Sequence, residues 1–213
     1  MSRDPLDRYY TPDALAETCL RVLVDQAGQL PAVLLEPCAG GGAFGRAAMR
    51  LGVVDVHGCD IDPDAAPGYR CAAVAVEDWR PHWAPRAAGD VWIATNPHYA
   101  GVYQTVRTMR ALQAHTNARV LALLLRATTI EQLMHRDDAP AVLWVSDLRP
   151  RWGGPGGANL TSGDTCGSVF AVWGRQPLRT ATTIHALPAW RAKGKPPHSA
   201  PQGALFGGTD GRP

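Results

Sequence analysis

The sequence predicts one doubly wound α/β domain with a mostly parallel sheet of about seven strands and helices on both faces. Three observations lead there. Short runs rich in Val, Ile and Leu recur along the chain, as strands buried on both faces require. Segments that suit helices lie between them, the alternation of a parallel sheet. A glycine cluster sits where the first strand meets the helix after it, and glycine lets the backbone turn sharply there. The 213 residues, 46% hydrophobic and 19% charged, suffice for one compact core and argue against a wholly disordered chain.

In chain order, Asp13–Ala27 reads as a helix. Thr11 is its expected N-cap, Pro12 suits the first helical position, and Asp13 and Glu17 favour the dipole. Strands are expected at residues 32–35, 53–59, 71–76, 91–94, 119–125 and 142–145. A last run at 168–173 follows a glycine-rich loop and closes the sheet. Helices are expected at Ala43–Leu51 and 102–114. Residues 1–175 form the expected domain and 176–213 an extension, flexible from about residue 192, where Pro and Gly replace apolar periodicity.

Charge is uninformative about partners. The net charge of +2, from 21 basic and 19 acidic residues, neither demands nor excludes nucleic acid. Apart from Lys193 and Lys195 every basic residue is Arg, a side chain that suits phosphates and base faces. The five cysteines are scattered, with no CxxC and no His/Cys cluster, so reduced thiols and no metal site are expected. No apolar run approaches the ~20 residues of a membrane span. The opening MSRDPLDRYY has no apolar stretch of a secretory leader, so a cytoplasmic location is expected.

The chemistry-bearing residues cluster at predicted strand ends. The first strand runs into Glu36-Pro37-Cys38-Ala39-Gly40-Gly41-Gly42-Ala43-Phe44-Gly45, in which Gly40, Gly42 and Gly45 match GxGxxG. The second ends in Asp60-Ile61-Asp62, and a carboxylate roughly 20 residues past the glycines suits ribose hydroxyls. The third ends in Glu77-Asp78-Trp79, where Asp78 can accept from an adenine amino group while Trp79 packs on the ring. These features serve a nicotinamide nucleotide or S-adenosylmethionine equally well. Each also has a structural reading, as a tight turn, a cap or a solvated loop.

The fourth strand ends in Asn96-Pro97-His98-Tyr99. Taken in order, these elements resemble the class I S-adenosylmethionine-dependent amino-methyltransferases of nucleic-acid bases, whose signature is Asn-Pro-Pro-Tyr. Tyr9-Tyr10-Thr11-Pro12 resembles the family's N-terminal cofactor element, and residues 36–44 its methionine-binding loop. Leu123-Leu124-Leu125-Arg126, Leu148-Arg149-Pro150 and the segment from Asp164 to Trp173 look like later strands of phage-type DNA adenine-N6 methyltransferases. The resemblance spans residues 9–173. It implies the Rossmann-like class I methyltransferase fold, with seven strands and the last antiparallel. It implies S-adenosyl-L-methionine as cofactor, held by Tyr10, Thr11, Pro12, Glu36, Pro37, Cys38, Gly40, Gly42, Phe44, Asp60, Ile61, Asp78, Trp79 and Asn96. Asn96, Pro97, His98 and Tyr99 are the implied catalytic group, and DNA, ahead of RNA, is the implied partner.

The signature has a chemical reason. The lone pair of an exocyclic amino nitrogen is delocalised into its ring. The Asn96 oxygen and the Pro97 carbonyl can accept its hydrogens, draw it towards tetrahedral geometry and free the pair for attack on a methyl group. Positioning and oriented dipoles supply the rate, so no strong base is needed. The Tyr99 ring suits stacking on a flipped base.

Two departures stand out. His98 replaces the family's second Pro, and Asp78 and Asn96 are too close for an inserted target-recognition domain. Recognition therefore falls to loops, chiefly residues 149–167 with Arg149, Arg151, Trp152 and Asn159, because Arg contacts phosphates and Trp stacks on bases. The rival reading of that segment is a plain connection between strands. Protein-glutamine, RNA adenine-N6 and cytosine-N4 methyltransferases are the neighbouring readings. A NAD-dependent oxidoreductase explains the glycines but not residues 96–99, and a non-catalytic nucleic-acid-binding relic explains the pattern without turnover.

Overall fold

The computed structural model describes residues 9–65, 67–79, 90–99, 101–134, 139–146, 152, 167–174 and 182–188. Helix α1, Asp13–Ala27, buries a stripe of Leu15, Ala16, Cys19, Leu20 and Leu23 at helical spacing. Its N-cap is Pro12, not Thr11. The Pro12 carbonyl accepts from the N–H groups of Leu15 and Ala16 at 3.0 and 3.1 Å, and no side chain caps this end. The helix stops at Gly28, whose φ of 69° lets its N–H close onto Val24.

Strand β1 is Val33–Pro37, followed by α2 (Ala43–Leu51), β2 (Asp55–Asp60), β3 (Arg70–Ala73) and β4 (Val91–Thr95). Then come α3 (Val102–Thr116), β5 (Val120–Arg126), a 3-10 turn at Ala127–Thr129 and a short α4 (Ile130–Met134). The remaining strands are β6 (Val142–Val145), β7 (Ser168–Gly174) and β8 (Thr183–Ala186). The sheet order is β3-β2-β1-β4-β5-β7-β6-β8. Strands β1 to β5 run parallel, and β7 is antiparallel to both β5 and β6.

Two findings refine the sequence expectation of seven strands. The expected closing strand is antiparallel, and it lies between β5 and β6. An eighth strand, β8, comes from the predicted extension and pairs parallel with β6. Its four residues are all exposed, so its pattern carries no apolar signal.

The apolar runs are continuous because alternate residues face opposite layers. Leu34, Trp92, Ala94, Ala122, Leu124, Phe170 and Val172 join α1 and α2 in one core. Val33, Leu35, Ile93, Leu121, Leu123, Leu125, Val169, Ala171 and Trp173 join α3 in the other. Helices thus pack on both faces of the central strands, β1, β4, β5 and β7. The strand order reverses between β1 and β4, and ligands of such sheets sit beyond the C-terminal ends at that point. No described helix is long and apolar enough to cross a membrane.

Candidate active site

The turn after β1 is built by its own hydrogen bonds. Cys38 and Gly40 have φ of 58° and 47°, and the Gly42 N–H reaches the Ala39 carbonyl at 2.6 Å. Gly42 has φ of 75°, and a Cβ there would lie 2.4 Å from the Pro67 side chain. At Gly45 a Cβ would lie 2.3 Å from the Tyr69 ring. Those two glycines are therefore demanded by packing, whereas Gly40 and Gly41 pass beneath the Tyr10 ring.

Glu36 is buried, and its carboxylate accepts from the Phe44 and Gly45 N–H groups at 3.1 and 2.6 Å and from the Tyr69 hydroxyl. It satisfies the first N–H groups of α2, which starts at a glycine with no capping side chain of its own. Burial raises the Glu36 carboxyl to about 7, against the lowering effect of the bonds from Tyr69, Gly45 and Phe44.

Asp60 ends β2 beside this turn. One carboxylate oxygen accepts from the Gly40 N–H at 2.7 Å and the other from the Asp62 N–H at 2.8 Å. The spacing read from sequence thus becomes a direct contact between carboxylate and glycine loop. Cys38 stands nearby, its thiol pushed up to about 12 by burial and then by the Asp60 charge, which favours the neutral thiol near pH 7.

After β4, the Asn96 side-chain N–H donates to the Tyr9 carbonyl at 3.3 Å, and the Asn96 oxygen accepts from the Tyr99 hydroxyl at 2.6 Å. His98 is exposed, with Nε2 3.2 Å from the Thr105 hydroxyl. The Arg126 guanidinium lies 4.9 Å from the Tyr99 ring centroid. Trp152 meets the same ring at 6.4 Å and a tilt of 56°.

The turns after β1, β2 and β4 border a cavity of about 240 Å³. Of the residues expected from sequence, Tyr10, Cys38, Gly40, Asp60, Ile61, Asn96, Pro97, His98 and Tyr99 line it. A hollow of about 30 Å³ adjoins it, lined among others by Thr11, Glu36 and Gly42. The other expected contacts lie elsewhere. Pro12 is the α1 N-cap. Pro37 is buried in β1, where its carbonyl accepts from the Thr95 hydroxyl. Phe44 is a core residue, stacked on Phe170 at 6.0 Å. Asp78 is exposed and lines neither space, and Trp79 is 5% exposed within the α3-side core.

Asp78 and Trp79 lie away from the cavity for a local reason. Strand β3 ends at Ala73, and a turn with bonds from Asp78 to Ala75 and from Trp79 to Val76 redirects the chain. Val76 and Glu77 face the cavity instead. Trp152, expected to stack on a base, is 3% exposed and packs against Tyr99 in the core. Arg149, Arg151 and Asn159 lie outside the described residues.

Sequence reading missed one wall. Gly101, the N-cap of α3, and Gln104, Thr105, Thr108 and Met109 of that helix line the cavity. Their spacing of three and four residues was the available signal, since a helix starting after Tyr99 presents one face to whatever Tyr99 borders. Among the described residues no group of three His, Cys, Asp or Glu could hold a metal ion.

Comparison with solved structures identifies the architecture. A Pyrococcus horikoshii protein provisionally described as an RNA methyltransferase has a TM-score of 0.59 at 12% identity, over 79% of this chain and 87% of that one. The methyltransferase subunit of a type I restriction-modification system from Streptococcus thermophilus has a TM-score of 0.52 at 11% identity, over 81% of this chain and 46% of that one. A Thermoplasma acidophilum protein matches with a TM-score of 0.50 at 16% identity, over 77% of this chain and 98% of that one. No protein-family profile and no curated protein sequence matches the chain. The fold is the Rossmann-like class I methyltransferase fold, and the cavity opens at the end of the sheet where its topology reverses.

Proposed function

We propose that the protein is an S-adenosyl-L-methionine-dependent methyltransferase acting on the N6 amino group of adenine in DNA. The observation that carries the reading is one continuous cavity, bordered by Asp60 and the glycine turn on one side and by Asn96, Pro97 and Tyr99 on the other. The donor set fits the cofactor. Asp60 offers a carboxylate for ribose hydroxyls, Ile61 and Val76 offer apolar walls for an adenine ring, and the Tyr10 ring covers the turn that would take the methionine end. Bound there, the cofactor supplies an electrophilic methyl group.

The chain's own residues supply position. Asn96 Oδ1 and the Pro97 carbonyl accept the hydrogens of the substrate amino group and orient its lone pair. Tyr99 holds the base by its ring. His98, tied to Thr105, borders the place the base takes. Arg149, Arg151 and Asn159 are the proposed contacts to the strand, where Arg151→Ala should weaken binding on every sequence and flatten its salt dependence.

The test is transfer of tritiated methyl from S-adenosylmethionine to unmethylated DNA, with RNA in parallel, followed by nucleoside analysis. N6-methyldeoxyadenosine is the expected product. Methyladenosine from the RNA arm alone, or N4-methylcytosine, would move the substrate. Cofactor binding with no product on either polymer would identify a binding relic. Tight NAD binding without S-adenosylmethionine binding would overturn the cofactor.

A further inference from the structure

An Asn amide turned by about 180° about its last side-chain bond has nearly the same shape, so an amide that must present its oxygen to a substrate needs partners that forbid the flip. The Tyr9 carbonyl, 3.3 Å from Asn96 Nδ2, can only accept, and it therefore selects the orientation with the nitrogen towards the N-terminal segment. The Tyr99 hydroxyl then donates to Asn96 Oδ1 at 2.6 Å. A carbonyl oxygen has two lone pairs, so this bond leaves one for an incoming amino group. Tyr99 is held in turn. The Arg126 guanidinium lies 4.9 Å from its ring centroid, on the last residue of β5, where Arg126 is in register with Ser168 of β7. A cation over a phenol ring draws on its electron density, which makes the hydroxyl a better donor.

We propose that the Tyr99 hydroxyl and the Arg126 guanidinium are positioning residues that preset the Asn96 oxygen for the substrate amino group. This rests on the amino-methyl transfer proposed above and deepens it. Tyr99 then has two separable parts, a ring that holds the base and a hydroxyl that holds Asn96. Arg126 acts through Tyr99, not through the nucleic-acid backbone.

The variants are Tyr99→Phe, Arg126→Met, Arg126→Lys and the double Tyr99→Phe/Arg126→Met. Tyr99→Phe keeps the ring, so KM for DNA and cofactor affinity should hold while the single-turnover rate falls about tenfold, the scale of one lost hydrogen bond. Arg126→Met should lower the rate in the same way, and Arg126→Lys should recover part of the loss by restoring a cation over the ring. The double variant should be no slower than Tyr99→Phe alone, because both changes remove one interaction. Additive losses, or a rise in KM with an altered salt slope for Arg126→Met, would overturn the role of Arg126. Full activity of Tyr99→Phe would overturn that of the hydroxyl.

A second readout needs no turnover. The chain has three asparagines, Asn96, Asn117 and Asn159, so selective 15N-Asn labelling gives a readable set of side-chain amides. The Asn96 signals, assigned by their loss in Asn96→Asp, should shift and exchange faster with water in Tyr99→Phe. Unchanged signals would overturn the proposal. Absence of methyl transfer by the unaltered protein on every polymer would overturn the function instead, and the amide signals would still decide the positioning.

Discussion

An amino nitrogen conjugated with its ring reacts only while its hydrogens are held out of plane, so the oxygen of Asn96 bears on rate more than on binding. Asn96→Ala should lower single-turnover methylation by about 10²–10³, the loss seen when one oriented partner of a transition state is removed. Cofactor affinity should fall far less than the rate, because the side-chain hydrogen bonds of Asn96 run to Tyr9 and Tyr99. Melting temperature, calorimetric affinity and rate measured together separate this from a turn residue, whose loss lowers all three. Asp60 differs, since its carboxylate both lines the cavity and holds the Gly40 N–H. Asp60→Ala should weaken S-adenosylmethionine by about 10- to 100-fold, as loss of charge-assisted bonds would, and calorimetry reads it directly. Glu36 carries a pH dependence. Its ordinary value of 4.5 is raised to about 7 by burial, so the folded chain holds the proton more tightly than the unfolded one. The stability it contributes is fully present below about pH 4.5 and is lost as pH rises through about 7. Glu36→Gln should flatten that decline in urea titrations across the window. A wild-type stability that climbs with pH there would show that the buried group is held as its anion.

At the scale of elements, the glycine turn and α2 work as one unit. Gly42 sits at positive φ against Pro67, and Gly45 sits against Tyr69, whose hydroxyl reaches Glu36, the β1 carboxylate that holds the first N–H groups of α2. Gly42→Ala should cost about 1–3 kcal/mol from backbone conformation alone, before the clash is counted. Gly45→Ala should push Tyr69 from Glu36 and lower both the melting temperature and cofactor affinity; scanning calorimetry with and without S-adenosylmethionine checks both. A Gly45→Ala protein of unchanged stability would mean that Tyr69 moves freely. Elements with strong periodicity were legible in the sequence. Asp13–Ala27 and Ala43–Leu51 have the expected bounds, and the strands fall within a few residues of expectation. The end of β3 was not legible, because the apolar run through Val76 continues past the last paired residue, Ala73. Pairing, not composition, ends that strand. The α1 cap differs from the sequence expectation for a related reason. Thr11 has the right side chain, but the chain enters the helix one residue later.

For the molecule as a whole, two cores separated by the sheet carry the fold, and the predicted extension contributes to one of them. Leu187 is 4% exposed within the α1–α2 core, and His185 stacks on Trp144 at 5.6 Å. Leu187→Ala should therefore destabilise by about 2–5 kcal/mol, as for other buried Leu truncations, although it lies beyond residue 175. A change below about 0.5 kcal/mol, the scale of a surface substitution, would place it outside the cooperative unit; urea unfolding distinguishes the two.

Local chemistry determined much of this protein directly from its sequence. Apolar runs and helical stripes specify the elements, and continuous rather than alternating hydrophobicity specifies a sheet buried on both faces. The glycines, Asp60 and Asn96 to Tyr99 were each legible as strand-end groups, because strand ends of a parallel sheet meet on one edge whatever the details. Tertiary structure alone decided the rest. It put β7 between β5 and β6, added β8, turned Val76 and Glu77 towards the cavity in place of Asp78 and Trp79, buried Trp152 against Tyr99, and brought α3 in as a wall. Strand partners and side-chain directions beyond an element's end are set by contacts between residues far apart in sequence, and no periodicity within a single segment records them.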